Sequence, residues 1–164
     1  MSKFTLIVTL LLVTSGCTPE AANTEKNKGW LERGTTEEKF RKVSKHLRGF
    51  DMAMAETGYR YIELYWGGND QNWGYAGYQV KKIETAIKNG LERRPKRAAS
   101  AKMIFPVIDQ VKESILQEDY QMFTSNFKTL TQTCNACHSA ESVSFIKVRT
   151  PTFRLSPVRF GEKK

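Results

Sequence analysis

From Tyr120 onward the apolar residues fall at Phe123, Phe127, Leu130, Cys134 and Cys137, in steps of three and four. That spacing marks one face of an α-helix. A helix that buries this face buries two thiols with it, one turn apart, and His138 follows the second directly. Any fold open to this chain must bring other apolar faces against this one. It must also end the helix where two thiols and an imidazole stand together.

The five residues Cys134-Asn135-Ala136-Cys137-His138 form the pattern C-x-x-C-H, the attachment signature of c-type haem. Two thiols one helical turn apart can each form a thioether with a haem vinyl group, and the adjacent imidazole can ligate the iron. Other uses of the pattern fit less well. A redox dithiol wants a βαβ surround, and no such pattern is visible. Tetrahedral zinc wants four ligands. Outside the motif the chain has only Cys17 and His46, so His46 or an acidic residue would have to complete the set. A disulfide between residues three apart closes a very small loop. The expectation is one covalently bound haem c, with Cys134 and Cys137 fixing the ring and His138 on the iron.

The N-terminus points the same way. A short basic start, Met1-Ser2-Lys3, precedes an apolar run from Phe4 to Val13 and the small residues Thr14-Ser15-Gly16-Cys17. The run is too short to span a bilayer, which takes about 20 residues, and reads as an export signal over residues 1–16. Haem attachment to c-type cytochromes follows export, so signal and motif agree. Cys17 resembles the modified cysteine of a bacterial lipoprotein, although Thr14 stands where a leucine is usual. Residues 17–34 then read as a lipid-anchor cysteine and a polar tether with little to bury. The expected location is the periplasmic side of a bacterial membrane.

The chain carries a net charge of +9, and residues 1–16 contribute only Lys3 to it. A local cluster lies at Arg93-Arg94-Pro95-Lys96-Arg97. Nucleic acid is not the expected partner of an exported protein. The charge suits a solvated surface near anionic lipid, or the steering of an acidic redox partner.

Helical periodicity runs throughout residues 35–142, expected to form the haem domain. A first stripe reads Phe40, Val43, Leu47, Phe50, Met54, Tyr61, Leu64, with a start signal at Thr35 or Thr36 and a stop at Gly67-Gly68-Asn69-Asp70. A second reads Trp73, Ala76, Val80, Ile83, Ile87, Leu91, with Asn72 as N-cap. A third reads Ile104, Ile108, Val111, Ile115. It either starts close to Pro106 or begins near Ser100 and kinks. The fourth is the thiol-bearing stripe, capped by Asp119. No segment alternates as a strand. Four amphipathic helices with short connections predict an all-α fold, an antiparallel four-helix bundle with haem at the end of the last helix. Residues 143–164 form a basic tail whose first part, around Phe145-Ile146, is expected to pack on the domain.

A bundle with C-x-x-C-H in its final helix resembles the cytochrome c prime class. Leu64-Tyr65-Trp66-Gly67-Gly68, followed by Asn72-Trp73 and Ala76-Gly77-Tyr78, is similar to a group of bacterial haem-binding proteins, as is the stretch from Cys134 through Phe145-Ile146 to Pro151. The resemblance covers roughly Phe40 to Pro151 and implies fold and cofactor more than role. Cytochromes c prime usually carry a basic residue shortly after the haem histidine and end soon after. Here Ser139-Ala140-Glu141 follows and the chain continues. Bundles of this kind commonly pair through their first two helices, so a homodimer is a further expectation.

The sixth iron ligand decides between roles: Met or a second His favours electron transfer, and an apolar side chain leaves the iron open to a gas. Met122 lies sixteen residues before His138, about 24 Å along one helix, and Met103 lies off the clear stripe. Met54 is the choice, on the inward stripe of the first helix and at a comparable place in the resembling group; His46 is the alternative, and Leu47 or Phe50 over an open iron the remaining case. The leading expectation is a non-enzymatic single-electron carrier, with a five-coordinate gas-binding module as the alternative. No distal acid–base pair suggests an enzyme. Tyr61, Tyr65, Trp66 and Trp73 are expected to fill and cap one end of the bundle, with Tyr65 or Trp66 exposed for docking.

Overall fold

A computed structural model describes residues 29–156 and Val158. The export signal, Cys17 and most of the tether lie outside the described residues. The described residues form α-helices joined by turns, with no strand among them. The chain divides into two compact units, one ending at His46 and one beginning at Leu47.

Helix α1 spans Thr36–Leu47. Its start is a capping box: the Thr35 hydroxyl accepts from the Glu38 amide at 3.2 Å, and the Glu38 carboxylate accepts from the Thr35 amide at 2.8 Å. That backbone bond holds the Glu38 carboxyl below its usual value. Residues 29–34 form a turn, through Gly34 at φ 91°, that the Lys42 ammonium closes on the Arg33 carbonyl at 3.1 Å. The Trp30 ring lies 4.4 Å from that of His46.

The single long first helix expected from the sequence is in fact two. Arg48 takes a left-handed backbone, φ 59°. The Asp51 carboxylate draws in the Gly49 amide at 3.0 Å and pairs with Arg48, so the chain restarts as α2. Phe40 and Leu47, expected on the inward stripe, are 71% and 56% exposed. A stripe can be continuous in sequence while the backbone beneath it is broken by one residue.

The second unit holds α2 (Phe50–Asn69), α3 (Trp73–Arg93), the short α4 (Ala98–Ala101), α5 (Ile104–Leu116) and α6 (Tyr120–Ala140). A 3₁₀ turn, Pro95–Arg97, leads into α4. Pro106 falls in the first turn of α5, where its missing amide would have no helical partner. Helix α2 lies against α3, α3 against α5, α5 against α6, and α6 against α2. Their inner faces meet in one core that includes Leu64, Val80, Ile83, Ile108, Val111, Phe123, Phe127 and Leu130.

Three helices reverse without glycine. Helices α2, α5 and α6 each end in a residue with positive φ: Gln71 (55°), Glu118 (54°) and Ser142 (60°). Each forms the paired backbone bonds of a Schellman turn: Asn72 amide to Gly67 carbonyl and Gln71 to Gly68; Asp119 to Ser114 and Glu118 to Ile115; Val143 to His138 and Ser142 to Ser139. Asn72 and Asp119 then serve again as N-caps, accepting from the Tyr75 amide at 3.0 Å and the Met122 amide at 2.9 Å. One residue closes a helix and opens the next, which keeps the connections short.

Helices α2 and α6 run antiparallel in a fixed register. Tyr120 donates to Asn69 at 3.2 Å, the Tyr65 and Phe127 rings lie 5.2 Å apart, and the Tyr61 hydroxyl meets that of Thr131 at 2.7 Å. Gly68 sits under the Phe123 ring, where a Cβ would overlap ring carbons. Gly68→Ala should therefore cost about 2–3 kcal/mol through overpacking. Gly58, in the same helix, has open space around a Cβ, so Gly58→Ala should stabilise by up to about 1 kcal/mol through helix propensity. Urea unfolding of the two variants checks both signs.

Candidate cofactor-binding site

The α2–α6 register carries the site. Tyr61 stands level with Thr131. Seven residues back along α2 is Met54, and seven forward along α6 is His138. Two helical turns are about 10.5 Å on either helix, so Met54 and the C-x-x-C-H turn lie at one level. Phe50, Met54, Leu91, Cys134, Cys137 and Val148 are all half-buried against the core edge. The last fully buried apolar side chain on α6 is Leu130. Ala53, Ser100 and Ala101 are buried near this end together with Ile87 and Ile104, and Gly90 is packed so close that a Cβ would come within 2.7 Å of that of Ala53. The core thins at the thiols and stops in half-exposed apolar side chains.

Both motif thiols are free of disulfides. Burial, reinforced by the neighbouring Cys137, pushes the Cys134 thiol up to about 12. Burial also raises Cys137, with the Ser100 hydroxyl and the Arg97 guanidinium pulling it partly back. Arg97 pairs with Glu141, which also accepts from Ser100. These contacts tie α4 and the 3₁₀ turn to the last turn of α6.

His138 is half-buried. Its Nδ1 lies 2.7 Å from the Ile146 carbonyl oxygen. A carbonyl can only accept, so Nδ1 carries a proton, and in the neutral ring Nε2 keeps its lone pair. This is the arrangement in which a histidine is oriented as a metal ligand by its other nitrogen. The Schellman turn at Ser142 makes it: the chain reverses after Ala140 and returns its backbone past the helix it has just left.

The segment from Val143 continues along α6 and α2. Val148 exchanges two bonds with the Asn135 side chain, its amide donating at 2.8 Å and its carbonyl accepting at 2.9 Å. The Arg149 carbonyl lies 3.3 Å from the Tyr61 hydroxyl. Arg154 pairs with Asp70 and lies 4.7 Å over the Trp66 ring. A cavity of about 310 Å³ remains between this segment and α2, lined by Gly58, Tyr61, Ile62 and Pro151 among others.

Tyr61 is buried and stacks on Phe127 at 4.7 Å. Trp73 meets Phe123 edge-on at 6.0 Å. Tyr65 and Trp66 are half-buried rather than free for docking, because α6 covers one and Arg154 the other. His46 belongs to the N-terminal unit, its ring tilted against that of Trp30. Met103 caps α5 and is 39% exposed, and Met122 is half-buried in the first turn of α6. Phe145 and Ile146, expected to pack on the domain, are instead 80% and 51% exposed, and the contacts made by Asn135, Val148 and the Ile146 carbonyl had no counterpart in the sequence reading. A residue inside the motif is free by pattern, and a backbone carbonyl has no signature.

Among the described residues no group of three or more His, Cys, Asp or Glu side chains could hold a metal ion, and no helix is long and apolar enough to cross a membrane. No family model, curated protein or solved structure matches the chain.

In the haem-free chain the thiols should differ. At pH 8, Cys134 should alkylate on the order of a hundredfold more slowly than a free thiol, its small thiolate fraction partly offset by higher intrinsic nucleophilicity. Cys137 should react ahead of it. Peptide mapping after timed iodoacetamide treatment checks the order. The raised thiol also fixes a sign. Above pH 9 the unfolded chain ionises at Cys134 while the folded chain does not, so stability falls toward pH 12.

Proposed function

We propose that this chain is an exported monohaem c-type cytochrome that carries single electrons. The observation that carries the proposal is the bond from His138 Nδ1 to the Ile146 carbonyl. It leaves Nε2 bare beside two unpaired thiols one turn apart. Cys134 and Cys137 would hold the haem, His138 would ligate the iron, and the group when bound would supply a one-electron couple. The half-buried apolar side chains around the motif would close over a large apolar ring. The four long helices α2, α3, α5 and α6 would form an antiparallel four-helix bundle of the cytochrome c prime kind.

On this reading Met54, level with the motif turn, would be the second protein ligand to the iron. Export and acylation at Cys17 would hold the protein at the periplasmic face of a bacterial membrane. The exposed cations Arg94 and Lys96 lie on the connection that Arg97 ties to the motif end. They would steer an acidic redox partner toward it.

Cys134→Ala with Cys137→Ala should abolish the haem that wild type retains through denaturing electrophoresis. A wild-type chain exported beside the attachment machinery yet free of covalent haem would sink the proposal. The reduced wild type should keep its low-spin absorption spectrum under carbon monoxide, and Met54→Ala should turn it high-spin and gas-sensitive. A wild-type spectrum that already shifts with carbon monoxide would instead establish the gas-binding module.

Arg94→Glu with Lys96→Glu should slow oxidation by an anionic iron cyanide by about three- to tenfold at low salt and spare a cationic ruthenium ammine. Stopped-flow rates with the two oxidants check this.

A further inference from the structure

The middle of the attachment motif is not a passive spacer. Asn135 uses its whole side-chain amide. Its Oδ1 accepts from the Val148 amide at 2.8 Å, and its Nδ2 donates to the Val148 carbonyl at 2.9 Å and to the Thr131 carbonyl at 3.1 Å. One acceptor and both donor hydrogens are satisfied, and a flipped amide would oppose carbonyl to oxygen, so a single orientation is allowed. The side chain acts as a short piece of β-ladder fixing one residue of the returning segment to α6.

That residue is two positions beyond Ile146. Residues 143–148 are held at both ends: by the Schellman turn at Ser142 and the Ile146–Val143 turn bond at 2.9 Å, and by the Asn135 clamp. Phe145 and Ile146 are 80% and 51% exposed, so apolar packing does little to hold the Ile146 carbonyl in place. Hydrogen bonds to the backbone do that work, and Asn135 makes the two nearest beyond it.

We propose that Asn135 is a positioning residue for the haem ligand: by clamping Val148 it keeps the Ile146 carbonyl on His138 Nδ1, and so tunes the iron through its ligand. The inference rests on the c-type cytochrome reading. An imidazole whose Nδ1–H is held by a carbonyl is a stronger electron donor at Nε2, which favours the ferric state. Releasing the strap weakens that donation, so the midpoint potential rises. The same thiols, the same histidine and the same helix remain.

The test uses the full-length holoprotein with Asn135→Ala, and Val148→Pro as a second variant that removes the Val148 amide donor from the clamp, keeps its carbonyl and leaves α6 untouched. Three quantities are read: covalent haem content, midpoint potential by redox titration, and hydrogen exchange over the segment 143–149. Both variants should keep haem, shift the potential upward and lose exchange protection in the segment by at least about tenfold. The double variant should shift the potential no further than either alone, since both break one link. Potentials unchanged in both variants, with haem retained, overturn the inference while leaving the cytochrome reading intact. Faster exchange with an unchanged potential overturns it as well, because Asn135 would then dock the tail without acting on the ligand. Absence of covalent haem from the wild type would bring down the cytochrome reading first, and this inference with it.

Discussion

The contact of Phe123 with Gly68 sets the geometry on which the site depends. No side chain fits at Gly68 under the ring, so α6 can approach α2 closely at this point and in this register. From it follow the Tyr65–Phe127 and Tyr61–Thr131 pairings. Two turns further toward the other end, Met54 and the thiol-bearing turn come to one level. A slip of one turn would separate them by about 5 Å. The aromatic seam of α6 thus does two things. It fills the core, and it fixes what stands opposite the motif some 20 Å away.

The helix ends matter as much as the helices. Left-handed backbone costs a non-glycine residue roughly 1–2 kcal/mol, and Gln71, Glu118 and Ser142 all adopt it. Each recovers two backbone bonds that would otherwise leave helix-end carbonyls without intrahelical partners. At Ser142 the turn also reverses the chain onto its own helix. That reversal brings a backbone carbonyl to His138. The site is therefore made by a helix terminus folding back, and not by a loop arriving from elsewhere.

Much of this was legible in the residues. Periodicity located the inner faces of α2, α3, α5 and α6, and Asn72 and Asp119 announced the starts of two of them, because an N-cap needs a particular side chain. The stops were harder. Gln71, Glu118 and Ser142 are not the glycines that usually mark a left-handed cap, and Arg48 broke a stripe that looked continuous through Leu47 and Phe50. The thiols and His138 stood out by residue type alone, as a five-residue pattern. The carbonyl that orients the histidine did not, since every residue carries one. Asn135 lay hidden for a related reason: it sits at a position the motif leaves free, and its partner is backbone thirteen residues away.

The distribution of burial bears on what the motif end needs. Fully buried large side chains run along α6 from Phe123 to Leu130 and stop there. Beyond them Ile87 and Ile104 on neighbouring helices are still buried, but Phe50, Met54, Leu91, Cys134 and Cys137 are left half-covered. Each square ångström of apolar surface left in water forgoes about 25 cal/mol. A flat apolar group bound at this end would recover that energy, so on the proposed reading the haem is a structural element as well as a redox one. The ordering of the strap fits the same logic. With little apolar packing available to Phe145 and Ile146, the chain secures His138 by hydrogen bonds, whose directionality holds one carbonyl at one nitrogen where apolar contact would allow it to slide.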